Sequence, residues 1–146
     1  MKALMTDGKG GVWVDTIPEP HVGEYDSLVR IESCLFCNST DRHIVGNTVD
    51  LGIPYPAVLG HESIGVVQEV GAAVKNFSVG DRISRAYAVY PDETLGGFNS
   101  GWGGFAEFAK VRDGQAMIEA GLIAADGMAY QQAIPSDIPA EKTRLL

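Results

Sequence analysis

Glycine and proline interrupt the apolar segments of this chain at short intervals. The sequence contains 18 glycines and 7 prolines, and the apolar stretches between them, such as SLVRIESC and SIGVVQEV, are short. Glycine supplies the positive φ of tight turns and proline removes a backbone donor, so this pattern favours short strands over long helices. The sequence has no strand–helix alternation. It therefore predicts a mainly β fold, a closed or partly open antiparallel β-barrel of six or more strands with a few short helices.

Individual elements follow from the same pattern. SLVRIESC alternates apolar and polar residues, as a half-buried strand does, and Gly65 within SIGVVQEV predicts a close approach of another backbone. A short helix is expected to begin at one of residues 38–40, and a helical turn is expected after Pro139. Segment 117–128 fits either a short helix or an inserted loop, and both interpretations stay open.

Composition indicates a globular protein and argues against some partners. Hydrophobic residues make up 45% of the chain, charged residues 21%, and the formal net charge is −8. Nucleic acids and anionic membranes bind basic surfaces, so neither is expected as a partner. The sequence shows no signal peptide and no apolar run near the ~20 residues that cross a bilayer. Cys34 and Cys37 are too few for a disulfide framework, and we expect a cytoplasmic protein.

A small set of side chains could carry chemistry: Cys37, Asp41, His43, His61 and Glu62. A thiolate and a neutral imidazole are ligand types that zinc prefers, and a catalytic zinc site keeps one position open. Cys37 and His61 are distant in sequence, so only the fold can bring them together. Each also has a structural interpretation, Cys37 as a small buried apolar residue and His61 as a hydrogen-bonded interior residue. Composition and spacing alone leave both interpretations open.

The order of several motifs adds a resemblance to a known family. MKAL, IPEP, SLVRIESCLFC, STDRH, PAVLGHESIGVVQEVGAAVKNFSVGDRI and GGFAEF follow one another between Met1 and about Val111. This order closely resembles the zinc-dependent medium-chain dehydrogenases, the alcohol and polyol dehydrogenase family. The resemblance implies an N-terminal GroES-like catalytic domain, a partly open barrel, followed in the complete enzyme by a Rossmann domain that binds NAD(P).

The resemblance also sets the expected domain boundaries. The strand-Gly-x-Gly-x-x-Gly-helix unit of a dinucleotide-binding domain is missing from this sequence. We therefore expect no Rossmann domain in this chain. Residues 1–138 would form the catalytic domain, and residues 139–146 would begin the connection to a nucleotide-binding domain that lies outside it.

The resemblance assigns the metal site residue by residue. Cys37 matches the first zinc ligand and His61 the second, and Glu62 matches a glutamate that lies near the metal and approaches it transiently. Asp41 matches the aspartate that hydrogen-bonds the zinc-binding histidine and fixes its tautomer. A shifted register would recruit Cys34 in place of Cys37. The family's third ligand would fall just past residue 146.

The proton relay is less clearly placed. His43 matches the distal relay histidine, and the hydroxyl that receives the substrate proton would be Ser39 or Thr40. The family usually has one residue fewer between its cysteine and its aspartate than this chain has between Cys37 and Asp41. Counting from Cys37 favours Ser39, whereas the intact spacing from Asp41 to His43 favours Thr40, and we expect Thr40 to be the relay with Ser39 as the alternative.

The expected function is the catalytic half of an NAD(P)-dependent dehydrogenase that oxidises a small alcohol or polyol. One catalytic Zn²⁺ is expected, held weakly by this domain alone, and no structural zinc, because that site needs four ligands and the chain has 2 cysteines. We expect a homo-oligomeric full-length enzyme, an inactive isolated domain, and specificity residues within 86–102. The alternatives are a zinc-free quinone-reductase-like domain and a non-catalytic GroES-like binding or oligomerisation module.

Overall fold

The computed structural model describes residues 1–100, 102–124 and 133–143, which form eight strands and three short helices. The strands are β1 (Lys2–Thr6), β2 (Val12–Thr16), β3 (Asp26–Leu35), β4 (Ala57–Val58), β5 (Glu62–Val70), β6 (Arg82–Ser84), β7 (Asn99–Ser100) and β8 (Phe108–Arg112). The helices are α1 (Thr40–Gly46), α2 (Gly114–Glu119) and α3 (Ala140–Thr143). The predicted mainly β fold with a few short helices is confirmed.

The strands form two four-stranded sheets. The first sheet has the order β2-β1-β4-β7, and the second has the order β6-β5-β3-β8. A bridge between Ala3 and Ala106 and a hydrogen bond from the Leu4 N–H to the Phe105 carbonyl connect β1 to the chain just before β8. These links join the sheets along one side, which gives the predicted partly open barrel.

One strand pair departs from the antiparallel pattern. Strands β4 and β7 run parallel, with Ala57 opposite Asn99. Each strand has only two residues, and a long stretch of chain separates them, so no hairpin constrains their direction. Neither strand was predicted from the sequence, because flanking prolines and glycines obscure so short a strand.

Each sheet covers an apolar cluster. Met5 and Val58 lie in the cluster of the first sheet, and Val29 and Val67 lie in that of the second. Gly65 confirms the predicted close approach of another backbone, because a Cβ there would lie 2.7 Å from the Arg30 carbonyl oxygen and 2.5 Å from Val29 Cγ1. A larger residue would therefore separate β5 from β3.

The helices match the sequence analysis in position. Ser39 precedes α1 as its N-cap, although its side chain makes no capping hydrogen bond, and α3 follows Pro139. In segment 117–128, α2 ends at Glu119, and residues 125–128 lie outside the described part of the chain. No helix among the described residues has the length and apolar character needed to cross a membrane.

A buried ion-pair network anchors the loop that follows β6. Lys110 of β8 is buried and lies 3.0 Å from Asp26 and 2.7 Å from Glu93. Arg112 contacts the same two carboxylates, at 3.2 Å and 2.7 Å. Because a buried charge requires a partner, these pairs hold the Glu93 loop on the second sheet, and that loop continues towards the site.

Candidate metal site

Cys37, His61 and Glu62 come together at one end of the second sheet. Cys37 lies just after β3, and Glu62 opens β5 opposite Leu35. One potential ligand atom from each of the three side chains lies within 4.8 Å of the others. His61 is buried, Cys37 is half-buried and Glu62 is exposed. The fold therefore unites a sulfur and an imidazole that are distant in sequence.

The carboxylate of Asp41 positions two of these residues at once. Asp41 lies in the first turn of α1 and is buried. Its Oδ1 lies 3.2 Å from His61 Nδ1, and its Oδ2 accepts a 2.8 Å hydrogen bond from the Cys37 backbone N–H. A carboxylate acceptor keeps the proton on Nδ1 and leaves Nε2 with a free lone pair. The imidazole thus presents the nitrogen that a metal ion requires.

Gly60 explains how His61 enters the site at the start of β5. Gly60 has a φ of +100°, and a Cβ there would lie 2.6 Å from the Phe105 backbone nitrogen and 2.8 Å from Cys34 Sγ. Only glycine combines this dihedral with so little space. The glycine that precedes the His-Glu pair is therefore a requirement of the fold.

The environment of Cys37 favours its thiolate. Hydrogen bonds from the backbone N–H groups of Thr40 and Ser39 lower the pKa of the Cys37 thiol, and the Thr40 nitrogen lies 3.4 Å from Cys37 Sγ. The thiolate is the form of cysteine that binds metal ions. The turn into α1 therefore prepares this sulfur as a ligand.

Cys34 has a different environment. Burial raises the pKa of its thiol to about 12, and its Sγ lies 2.8 Å from where a Cβ on Gly60 or Gly104 would be. Cys34 is thus a protonated thiol packed against two glycines. Among the described residues, the cluster of possible ligands contains Cys37 and does not contain Cys34.

The two relay candidates are in different positions. Ser39 and His43 line one groove of about 540 Å³, together with Arg42 and Thr48. His43 Nδ1 lies 2.6 Å from Thr48 Oγ1. Thr40 hydrogen-bonds to Cys37 through both its backbone N–H and its side chain.

Two further residues lie beside the cluster. The ring centroid of Trp102 is 5.4 Å from that of His61, and the guanidinium of Arg85 is 5.5 Å from the Trp102 ring. Trp102 belongs to segment 86–102, where specificity was predicted, whereas Arg85 lies just before that segment and was missed. A single arginine after a short strand carries no sequence signal of a site.

The cluster suits zinc by its donor atoms. It offers a sulfur, a nitrogen and a carboxylate oxygen, all of them zinc ligand types, with a carboxylate behind the histidine. Donor atoms of one tetrahedral zinc lie roughly 3.5 Å apart, and those of Cys37, His61 and Glu62 lie within 4.8 Å. Small rotations of the exposed Glu62 and half-buried Cys37 side chains would close that difference.

A comparison with protein families identifies the family of this chain. The profile of the alcohol dehydrogenase GroES-like domain matches residues 23–120. The chain belongs to this family. The GroES-like domain is the N-terminal domain of the zinc-dependent medium-chain dehydrogenases, so the resemblance noted in the sequence is confirmed.

Relatives of this GroES-like domain are dehydrogenases. L-threonine 3-dehydrogenase of Salmonella arizonae is 41% identical over 87 residues, which is 58% of this chain and 25% of that protein. The chain thus spans about a quarter of the length of the curated relatives it matches.

Solved structures share the fold. The 2R,3R-butanediol dehydrogenase of Bacillus subtilis gives a TM-score of 0.66 at 23% identity, over 99% of this chain and 43% of that one. A structure from Sinorhizobium meliloti, described as a zinc-binding dehydrogenase bound to NADP, gives 0.61 at 29% identity, over 76% and 36%. The GroES-like fold predicted from the sequence is confirmed.

Proposed function

We propose that this chain is the catalytic domain of a zinc-dependent, NAD(P)-dependent dehydrogenase that oxidises an alcohol or polyol to a carbonyl by hydride transfer. The observation that carries the proposal is the cluster of Cys37, His61 and Glu62 with Asp41 behind it. Family membership and the dehydrogenase relatives support it.

The residues of the cluster have distinct roles in this proposal. Cys37 supplies a thiolate and His61 its Nε2, and both are held by Asp41. Glu62 adds an exposed carboxylate. When bound, zinc supplies a positive charge that lowers the pKa of a substrate hydroxyl.

The proton released from the substrate needs a path to solvent. Ser39 and His43 share a groove, and the hydrogen bond between His43 and Thr48 orients the imidazole. A hydroxyl followed by an imidazole can pass a proton in two steps. The shared groove supports Ser39 as the first carrier, with Thr40 as the alternative.

The complete enzyme requires more than this chain. We propose that residues 1–138 form the catalytic domain and that residues 139–146 begin the connection to a Rossmann domain that binds NAD(P). Because hydride transfer needs the nicotinamide positioned by that second domain, the isolated chain would be inactive. We further propose a homo-oligomeric full-length enzyme.

Two other functions use the same fold. The quinone oxidoreductase of Escherichia coli gives a TM-score of 0.57 at 21% identity over 77% of this chain, a likeness of fold only. Neither a zinc-free reductase nor a GroES-like oligomerisation module would use a thiolate and an imidazole held by one buried carboxylate. The cluster therefore favours the dehydrogenase.

Metal removal tests the proposal on the complete protein. We expect bound zinc, and reduction of NAD⁺ or NADP⁺ that depends on an added alcohol, followed across a panel of alcohols and polyols. A zinc chelator should abolish this activity, and added Zn²⁺ should restore it. A protein that instead reduces quinones with NADPH and is insensitive to the chelator would contradict the proposal.

Replacing Ser39 with alanine is expected to lower kcat about 100-fold, because general acid–base steps contribute roughly 10²–10⁴. Zinc content should not change, since Ser39 lies outside the cluster. The matched comparison is Thr40→Ala, which should lose less kcat than Ser39→Ala but should lower zinc affinity, because both the backbone and the side chain of Thr40 hydrogen-bond to Cys37. Steady-state kinetics measure both variants, and a larger loss in Thr40→Ala would assign the relay to Thr40.

A further inference from the structure

Arg85 and Trp102 form a contact at an energetic cost. Their φ values are +56° and +92°, a region that side chains other than glycine rarely occupy. Such conformations are energetically unfavourable and cluster at functional sites. The guanidinium of Arg85 lies over the Trp102 ring, which in turn lies beside His61. The fold therefore maintains two unfavourable backbone conformations next to the candidate metal site.

Arg85 also borders a cavity that reaches the cluster. The cavity has a volume of about 350 Å³ and lies between the end of β3, the start of β5, the end of β6 and residues 133–138. Glu62 lines one part and Arg85 another, and most of the remaining surface is apolar. The apolar lining comes from Leu35, Ile64, Ile134, Pro135 and Ile138. A space of this size and character suits a small organic molecule.

The charge of Arg85 is available to a ligand. Its side chain is exposed, and within the described part of the chain its guanidinium makes no ion pair, unlike those of Arg30 and Arg112. Its backbone is fixed, because its N–H donates a 2.8 Å hydrogen bond to the Ser63 carbonyl. A guanidinium offers paired N–H donors that match a carboxylate or a phosphate.

We propose that Arg85 is a specificity-determining residue that binds an anionic group of the substrate. The substrate would be a small alcohol carrying a carboxylate or phosphate, with its hydroxyl at the Cys37–His61–Glu62 cluster and its anionic group at Arg85. This inference rests on the proposed function. Zinc at the cluster would offset the negative charges of the Cys37 thiolate and Glu62, so Arg85 is then the net positive charge among the described residues that line the cavity.

Binding measured without turnover tests this inference. Isothermal titration calorimetry of the complete protein would use glycerol, glycerate and glycerol phosphate, which share a three-carbon skeleton. We expect the two anions to bind more tightly than glycerol, with a preference that falls as salt is added. Arg85→Gln should weaken binding of the preferred anion about 10–100-fold, as loss of a charged hydrogen bond does, and should change glycerol binding less than about twofold.

Two further variants make the result specific. Arg85→Lys keeps the charge without the paired donors and should fall between Arg85→Gln and the unmodified protein. Arg30→Gln removes another exposed arginine, which pairs with Glu32, and should leave all three probes unchanged. The inference would be overturned if glycerol and both anions bound with equal affinity. It would also be overturned if Arg85→Gln lowered the affinity for all three probes equally. The glycerate and glycerol phosphate titrations also distinguish a carboxylate ligand from a phosphate ligand.

The outcomes separate this inference from the function on which it rests. Alcohol oxidation without any anion preference would overturn the role of Arg85 alone. An anion preference at Arg85 in a protein that lacks alcohol-dependent activity would overturn the dehydrogenase proposal, and with it the assignment of the anion to a substrate.

Discussion

Replacing His61 with alanine in the complete protein is expected to remove most bound zinc and to lower kcat at least 100-fold. His61 is buried, and its Nε2 is the nitrogen left free by the contact between its Nδ1 and Asp41. Without the imidazole, Cys37 and Glu62 are the donors that remain in the cluster, and a catalytic zinc site uses three protein ligands. Metal analysis after dialysis and alcohol-dependent NAD(P) reduction measure the two effects.

Two further variants test this result, one at the residue behind His61 and one at a histidine outside the cluster. Asp41→Asn keeps the shape of the side chain but removes the carboxylate behind His61, so zinc affinity should fall by about 10–100-fold, the usual cost of losing such a partner. His21→Ala removes an exposed histidine outside the cluster and should change neither quantity. Full zinc content and activity in His61→Ala would refute the assignment of the metal site.

The overall architecture could be predicted because the apolar alternation and the glycine positions of the sequence agree with the strands of the fold. The alternation in β3 shows which face is buried, and Gly65 lies where β5 approaches Val29 closely. Strands β4 and β7 could not be predicted, since two residues are too few to show a period and their parallel pairing depends on tertiary contacts. Sequence patterns thus identified the longer strands and missed the shortest ones.

The candidate site was predictable only in part. Spacing could not tell Cys34 from Cys37, whereas the structure places Cys37 in the cluster with His61 and Glu62 and packs Cys34 against Gly60 and Gly104. The positions of Arg85 and Trp102 depend on positive φ values that run against residue preference. Such conformations are stabilised by the surrounding fold, so a single sequence carries no local signal for them.

Replacing Asp113 with alanine is expected to lower the free energy of unfolding by about 3 kcal/mol, since each buried donor left unpaired costs roughly 1–3 kcal/mol. Asp113 is fully buried after β8 and caps α2 by accepting a hydrogen bond from the Ala116 N–H. Its carboxylate also accepts hydrogen bonds from the backbone N–H groups of Lys75 and Asn76 and from the Asn76 side chain. Urea denaturation at neutral pH measures the change.

The same carboxylate makes the effect depend on pH. Burial acts to raise the pKa of Asp113, but the hydrogen bonds from Ala116, Lys75 and Asn76 outweigh it and lower the pKa from 3.8 to about 2. Because the pKa is lower in the folded state, the ionised carboxylate stabilises the fold fully above about pH 4, and this stabilisation is lost as pH falls through about 2. The difference in unfolding free energy between the unmodified protein and Asp113→Ala should therefore shrink steadily between about pH 4.5 and pH 2.

Glu119→Gln is the matched control, because Glu119 is an acidic residue of α2 whose pKa is lowered chiefly by its hydrogen bond with Lys75. Unlike Asp113, Glu119 is exposed, and its 2.9 Å ion pair with Lys75 is open to solvent. Solvent-exposed pairs contribute little, so this variant should unfold almost as the unmodified protein does. Two results would contradict this role of Asp113 in holding β8 and α2 to residues 75–76. One is equal stability of Asp113→Ala and the unmodified protein at neutral pH. The other is a difference in unfolding free energy between them that stays constant down to pH 2.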